Sequence, residues 1–249
     1  MSQEREEGPA QVRDLIWSRP EQSAKGPAQS RSRAQIAAAA VTLADAEGPA
    51  AVSMRKLAAA LGIATASLYG YVDSKDELYD LMVDQVEGEQ GPPPAPSGDW
   101  RRDLTYLAHR SRRAILSHPW MAGVAAGRPN FGPHSLAWVE YGLAAMSPLE
   151  MNTDEMLTCG EMLQAFVRGF TTRELAQQQA LKQSGAEAAQ YARALSRYIE
   201  SVVESKQYPW FSTVVRDAHI PHAPNPQELL FTTALDKILD SISRHEGCR

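Results

Sequence analysis

Residues 53–78 read SMRKLAAALGIATASLYGYVDSKDEL, and this stretch decides the fold. Apolar positions at helical spacing predict one helix over 53–61 and a second, short helix over 65–71. Gly62 lies between them, where a tight reversal of the chain favours a residue that can adopt left-handed backbone. Alanines let the two helices approach closely, and Ile63 fills the angle between them. The stretch therefore predicts a helix-turn-helix.

The second helix of this pair begins with side chains that suit a DNA groove. Thr65, Ala66, Ser67 and Tyr69 are short or planar, and a major groove is about 12 Å wide. In known helix-turn-helix proteins, the N-terminal residues of the second helix contact base edges. This pattern predicts double-stranded DNA as a partner.

Lys75 supports the same partner through its position in the next helix. That helix begins at Ser74 with a capping box, Ser74-x-x-Glu77, and is expected to run to about residue 88. A cation in the first turn opposes the helix dipole. A phosphate held by Lys75 and by the free N–H groups of the first turn explains this placement better than an isolated helix does.

Further helices are predicted on both sides of the motif. One covers 32–47 and ends at Gly48-Pro49. After the break GPPPAPSGD at 91–99, apolar periodicity predicts the helices 100–117, 134–146, 153–182, 186–206 and 226–244. Strand alternation does not stand out, so we expect an all-α fold. We expect a disordered arm over 1–30, a DNA-binding domain over 31–78 and a larger helical domain over 79–249.

Charge is distributed unevenly along the chain. The formal net charge is −5 in total, but +3 over residues 19–75, −2 over 1–18 and −6 over 76–249. A basic segment beside an acidic body is typical of a protein in which one part meets phosphate. Chance clustering is the alternative. The basic end of the arm, at Lys25, Arg31 and Arg33, either touches DNA or is a solvated tail.

Composition and motifs exclude several other classes. Cys159 and Cys248 are the only cysteines, which predicts neither a disulfide framework nor a zinc site and fits a reducing, cytoplasmic location. The polar N-terminus is unlike a secretory signal, and apolar runs are too short to cross a membrane. Nucleotide loops, nucleophile elbows and metal clusters are absent, so we expect neither an enzyme, a cofactor nor a metal site. His219 and His222 are interpreted as ordinary loop histidines.

Residues 33–82 resemble the DNA-binding domain of the tetracycline-repressor (TetR) family. The matching residues are IAAAAVTLADAEG at the first helix, SMRKLA at 53–58, LGI at 61–63 and the pattern LYxYVxSKxxL at 68–78. This resemblance implies an all-α homodimer in which an N-terminal three-helix DNA-binding domain precedes a larger helical domain for ligand binding and dimerisation.

The resemblance also implies roles for individual residues at the DNA. Arg55 would reach a base edge or a nearby phosphate, and Thr65, Ala66 and Ser67 would face the bases. Tyr69 and Tyr71 would bond phosphates through their hydroxyls, or else pack within the domain, and Lys75 would pair with a phosphate. Two departures stand out. Ala64 replaces the usual Ser or Thr cap, so the cap can pass to Thr65, and Gly70 replaces a larger side chain.

For the C-terminal domain the resemblance implies a small hydrophobic effector. Six aromatic or thioether side chains in the expected region are candidates for binding it: Trp120, Trp138, Tyr141, Met162, Phe166 and Phe170. Core packing is the alternative for each of them. The long helices 153–182 and 226–244 are candidates for the dimer interface, although the apolar stripe of the latter can also pack inside one subunit.

The helix-turn-helix pattern and the family resemblance together imply a ligand-responsive transcriptional regulator, most simply a repressor released from a palindromic operator when the effector binds. The helix after Ser74 joins the two domains and is the expected lever. Activation by the ligand is the alternative direction. The rival classes are an enzyme, a DNA-packaging protein and a ligand-sequestering protein with a decayed motif. Effector, operator and regulated genes stay open.

Overall fold

The computed structural model describes residues 14–19, 31–124, 129–183 and 186–243. Over these ranges the chain consists of α-helices joined by turns and three short 3₁₀ segments, and strands do not occur. The all-α prediction is confirmed. Within the same ranges, the helices fall short of the combined length and apolar character that crossing a bilayer requires.

The helices follow one another closely, and most coincide with the ranges predicted from periodicity. In chain order they are α1 (Arg33–Glu47), α2 (Met54–Leu61), α3 (Thr65–Leu68), α4 (Lys75–Gly88), α5 (Trp100–Ser117), α6 (Met121–Val124), α7 (Pro133–Met146), α8 (Thr153–Gln183), α9 (Ala186–Ser205), α10 (Pro209–Asp217) and α11 (Pro226–Ser243).

Three helices differ from the expectation. The short helices α6 and α10 have too few residues to show a clear apolar period, and the sequence did not indicate them. The second helix of the motif, α3, was expected to reach residue 71 but ends at Leu68. Single-turn bonds from Gly70 N–H to the Ser67 carbonyl and from Tyr71 N–H to the Leu68 carbonyl replace its last turn. Glycine at position 70 disfavours continuation of the helix.

The described residues form two compact units. The first comprises the chain up to Pro93 together with Gly123–Val139, and the second comprises Pro94–Ala122 together with the chain from Glu140. In the first unit α1 packs on α4 and on α2, and α2 packs on α3. The core of this small bundle is formed by fully buried apolar side chains: Ile36, Ala40, Leu57, Leu68, Val72, Leu78 and Met82.

The first unit is larger than the DNA-binding domain expected over 31–78, since the segment 129–139 belongs to it. The buried carboxylate of Asp84 on α4 accepts a bond from the Ser135 N–H at 2.9 Å and lies 3.0 Å from the His134 ring nitrogen Nδ1. Trp138 Nε1 donates to the Glu87 carbonyl at 3.0 Å. These bonds attach α4 to the first residues of α7.

Residues 14–19 form an ordered turn in the first unit, in contrast to the disordered arm expected over 1–30. The Ile16 side chain is 2% exposed. The guanidinium of Arg33 on α1 donates to the carbonyls of Ile16 and Arg19 at 2.8 and 2.9 Å. Burial of Ile16 and the two hydrogen bonds from Arg33 thus hold this turn against the first unit. The remainder of the arm, with Lys25, lies outside the described residues.

In the second unit α8 packs on α5 and α11. Its apolar core is formed by buried residues of all three helices: Leu104, Leu107, Leu163, Val167, Phe231, Leu235, Leu239 and Ile242. Leu235, Leu239 and Ile242, which belong to the α11 stripe that was a candidate for the dimer interface, are therefore core of their own subunit, whereas Leu230, Ala234 and Ile238 are half-buried. Leu229, at the start of α11, is 45% exposed.

Candidate nucleic-acid interface

The turn between α2 and α3 has the geometry that the sequence predicts. Ser53 caps α2 by accepting a bond from the Lys56 N–H at 3.2 Å. Gly62 adopts left-handed backbone with φ of 69°, and its N–H reaches the carbonyls of Ala58 and Ala59. The next N–H, of Ile63, also bonds to the Ala58 carbonyl, at 3.0 Å. The reversal leaves the start of α3 at the surface.

Most side chains expected to face bases lie on the exposed side of α3. Ala66 and Ser67 are exposed, Thr65 is half-buried, and Tyr69 is 52% exposed. Leu68 is fully buried and anchors the helix to the core. The structure therefore places four small or planar groups on one short, outward surface, as groove entry would require.

Ala64 is the N-cap of α3 and has no side-chain cap bond, and Thr65 is already the first helical residue. The cap therefore does not pass to Thr65. Tyr71 lies differently from Tyr69, since its side chain is only 9% exposed and most of its ring packs in the first unit. Packing thus accounts for much of the Tyr71 ring, the alternative that the sequence left open.

The cations on α2 and at the start of α4 differ in their side-chain contacts. Lys56 forms an ion pair with Glu47 at the end of α1. Arg55 is exposed, and among the described residues it has neither a hydrogen-bond nor an ion-pair partner. Lys75 is also exposed, with its Nζ 5.3 Å from the centre of the Tyr79 ring one turn later. Arg55 and Lys75 remain accessible to phosphate or to a base edge.

The N-terminus of α4 is held by a small polar network. Ser74 accepts a bond from the Glu77 N–H at 3.2 Å, as the capping box predicts. The Glu77 carboxylate accepts the Asp73 N–H at 2.8 Å, one residue before the usual partner. It also lies 2.5 Å from the guanidinium of Arg19, which pairs with the Asp73 carboxylate as well. This network fixes the turn that precedes Lys75.

Sequence reasoning missed Arg19 as part of this site. Arg19 lies more than fifty residues before its partners and within a segment expected to be disordered. Burial alone lowers its pKa, but the pairs with Glu77 and Asp73 outweigh burial, and overall they raise the pKa above its ordinary value. The guanidinium therefore stays charged, as arginine does in proteins generally.

Two of the candidate effector residues lie in direct contact. Phe166 and Phe170 on α8 lie together with Phe231, at ring-centre distances of 5.2 to 5.8 Å. Trp120 and Tyr141 are buried in the second unit, and Met162 is 38% exposed. Trp138, by contrast, belongs to the first unit.

Tyr141 has a polar role of its own. Its hydroxyl donates to the buried Asp103 carboxylate at 3.2 Å. Burial, helped by the negative charge of Asp103, raises the pKa of Tyr141 to about 12. Tyr141 is therefore a neutral hydrogen-bond donor at physiological pH, and its ring lies edge-on to Tyr106 with the centres 6.1 Å apart.

A buried ion network in the second unit was also missed. Arg112 on α5 makes a two-point contact with Glu174 on α8, at 2.9 and 3.0 Å, and pairs with Glu228 on α11. Its guanidinium carbon lies 4.5 Å from the centre of the Phe231 ring. Burial lowers the pKa of Arg112, but the carboxylates of Glu174 and Glu228 outweigh burial, and overall they raise the pKa above its ordinary value. Because Arg112, Glu174 and Glu228 lie on three separate helices, the sequence has no local pattern that predicts their pairing.

Two family models match the chain. The model described as bacterial regulatory proteins, tetR family, matches residues 36–82. The model described as tetracyclin repressor-like, C-terminal domain, matches residues 92–245. The two matches correspond to the helix-turn-helix segment with α4 and to the larger helical body.

Curated relatives and solved structures agree with these models. The HTH-type transcriptional repressor DrrR1 of Streptomyces coeruleorubidus is 32% identical over 234 residues, covering 94% of this chain and 85% of the repressor. An HTH-type transcriptional regulator of Saccharopolyspora erythraea is 37% identical over 160 residues, covering 64% and 67%. The crystal structure of the Streptomyces coelicolor TetR family protein ActR in complex with actinorhodin has a TM-score of 0.71 at 26% identity, covering 87% of this chain and 97% of ActR.

Proposed function

Because the chain belongs to the TetR family of transcriptional regulators, we propose that two copies of it bind a palindromic operator and release it when a small hydrophobic molecule binds the second unit. The observation that carries this proposal is the exposed surface of α3. It carries Ala66, Ser67 and Tyr69, and the exposed cations Arg55 and Lys75 belong to the helices before and after it. The relative DrrR1 is a repressor, which favours repression over activation.

On this proposal the two kinds of contact have separate tasks. Arg55, Thr65, Ala66 and Ser67 read base edges, with the methyl group of Ala66 suited to thymine. Lys75, Tyr69 and the Tyr71 hydroxyl position the protein on phosphates. One short helix binds DNA weakly, so a two-fold homodimer presents two of them, spaced about 34–36 Å apart, to the halves of a palindrome.

The proposed release is a shift between two conformers. The effector prefers the conformer in which α4 has moved and the two α3 helices no longer match the operator. A tenfold loss of affinity requires a preference of only about 1.4 kcal/mol. Two features support α4 as the lever: its bonds to the segment 129–139, and the continuation of α7 from that segment into the second unit.

The proposed effector is a small hydrophobic molecule. ActR has been crystallised with actinorhodin and with (S)-DNPA, so a neighbour of this fold binds small organic ligands. The candidates in the second unit that would contact an effector there are aromatic or thioether side chains: Trp120, Tyr141, Met162, Phe166 and Phe170. The proposal assigns neither a catalytic step nor a cofactor to the protein.

The DNA-binding half is tested by fluorescence anisotropy with the promoter fragment upstream of the protein's own gene. In the titration we expect saturable binding and a loss of affinity of about 10³-fold or more between about 50 and 200 mM salt. Nuclease footprinting of the same fragment should show a palindromic protected region. A scrambled fragment of the same length is the control. Equal affinity for both fragments, or uniform coating of the fragment, would contradict the proposal.

The effector half is tested by a melting-temperature screen with a panel of small hydrophobic compounds. A true effector raises the melting temperature by mass action and also releases the promoter fragment. A compound that stabilises the protein and raises its affinity for the fragment would indicate activation by ligand. Turnover of any stabilising compound would favour an enzyme instead.

A further inference from the structure

We propose that Arg19, in the turn formed by residues 14–19, prepares the start of α4 for a DNA phosphate by neutralising Asp73 and Glu77. The role rests on the proposed DNA-binding function and adds a positioning residue to it. In this role Arg19 acts through the two carboxylates beside Lys75 and does not itself reach the DNA.

The charges at the start of α4 create the need for such a residue. Residues 73–77 read DSKDE, which places three carboxylates around the single ammonium group of Lys75. A phosphate approaching Lys75 would meet a net negative segment. At short range, repulsion between like charges costs about as much as one surface ion pair contributes. A second cation therefore has to come from elsewhere in the fold.

Arg19 supplies that cation with suitable geometry. One of its terminal nitrogens pairs with the Asp73 carboxylate, and the other lies 2.5 Å from the Glu77 carboxylate. The side chains of Arg19 and Glu77 are 22% and 16% exposed, so the pair is only partly screened by water. A guanidinium can bridge two carboxylates with parallel bonds, which an ammonium group does less well.

The turn is fixed independently of these pairs. Ile16 is buried in the first unit, and Arg33 on α1 holds the carbonyls of Ile16 and Arg19. Arg19 is thus delivered to the start of α4 by contacts that do not involve Asp73 or Glu77. This separation makes the electrostatic role distinguishable from a structural one.

The test measures binding of the full chain to the duplex fragment that the parent protein binds, over a range of salt concentrations. We expect Arg19→Ala to weaken binding about fivefold at low salt. Arg19→Ala combined with Asp73→Asn and Glu77→Gln should bind within about twofold of the Asp73→Asn, Glu77→Gln variant, because both repelling charges are gone. Arg113→Ala, at an exposed arginine on α5 in the second unit, is the control for net charge and should change affinity less than about twofold.

Three results would overturn the inference while leaving the proposed function intact. If Arg19→Ala loses affinity and removal of both carboxylates does not restore it, the role of Arg19 is structural. If the slope of log Kd against log salt also falls by about one, Arg19 contacts a phosphate directly. Unchanged binding by Arg19→Ala would equally reject the inference. Failure of the parent protein to bind any fragment would instead reject the proposed function.

Discussion

At the scale of single residues, the proposed interface combines side chains of two kinds. Ala66, Ser67 and Tyr69 are exposed and can be changed with little cost to folding. Leu68 and Tyr71 belong to the core of the same small unit. Because α3 has a single turn, the exposed residue Ser67 and the buried residue Leu68 are adjacent in the sequence. Binding measurements on variants of Tyr71 therefore need a parallel measurement of stability.

Lys75 gives the sharpest residue-scale prediction. Lys75→Ala should weaken binding to all duplexes alike and reduce the salt slope of log Kd by about one, because a single phosphate contact is lost. Anisotropy titrations over a salt series measure this. Lys237→Ala, at an exposed lysine on α11, is the matched control and should leave the slope unchanged. A parent-like slope for Lys75→Ala would exclude a phosphate contact at this residue.

Burial of Cys159 gives a prediction about the reactivity of its thiol. Burial, with a smaller effect of the Glu155 charge, raises the pKa of its thiol, and the side chain is 5% exposed. Since the folded state holds the proton more tightly, the contribution to stability is present below the ordinary thiol pKa and is lost as pH rises above it. In a Cys248→Ser variant, modification by a thiol reagent at about pH 8 should be at least tenfold slower in the native protein than in urea. Similar rates in both conditions would contradict burial of Cys159.

At the scale of elements, buried charge links three helices of the second unit. Arg112 on α5 meets Glu174 on α8, where both side chains are less than a tenth exposed, and Glu228 on α11, which is half exposed. Removing one member of a buried pair leaves an uncompensated charge, whereas an exposed partner contributes little. Removing each of the two partners of Arg112 in turn therefore compares a buried ion pair with a half-exposed one.

Glu174→Ala should lower the free energy of unfolding by about 3–5 kcal/mol. Glu228→Ala should lower it by about 1 kcal/mol or less. Urea denaturation followed by circular dichroism measures both values. Equal losses for the two variants would show that the buried pair contributes no more than the exposed one. Arg112→Met combined with Glu174→Leu should recover much of the stability, since apolar packing replaces the pair.

At the scale of the whole molecule, apolar side chains of α8 remain exposed on one subunit. Leu157 is 61% exposed and Met162 is 38% exposed. Large exposed apolar groups along a helix indicate an interaction surface. Homodimers are typical of the family, and α8 was one of the two helices expected at the interface. On α11, Leu235, Leu239 and Ile242 of the apolar stripe are core, so we take α8 as the helix to test.

We predict that sedimentation equilibrium gives twice the chain mass of 27.3 kDa and that the melting temperature rises with protein concentration. Leu157→Glu should weaken the dimer by about tenfold or more, because a charge would be buried at the interface. Thr42→Glu, which adds the same charge at an exposed polar position on α1 in the first unit, serves as the comparison and should leave the dimer intact. A monomer at micromolar concentration, or equal effects of the two variants, would contradict an interface on α8.

The amino-acid sequence alone determined the fold class, the helix-turn-helix and the limits of most helices. These features depend on local signals that repeat within one or two turns: the apolar period, the caps Ser53 and Ser74, and the left-handed position at Gly62. Only the tertiary structure decided that Arg19 meets Asp73 and Glu77, that Arg112 meets Glu174, and that Leu235, Leu239 and Ile242 of the α11 stripe are core. Ion pairs between distant segments leave no periodic pattern, and an apolar stripe has the same appearance whether it faces its own subunit or a partner.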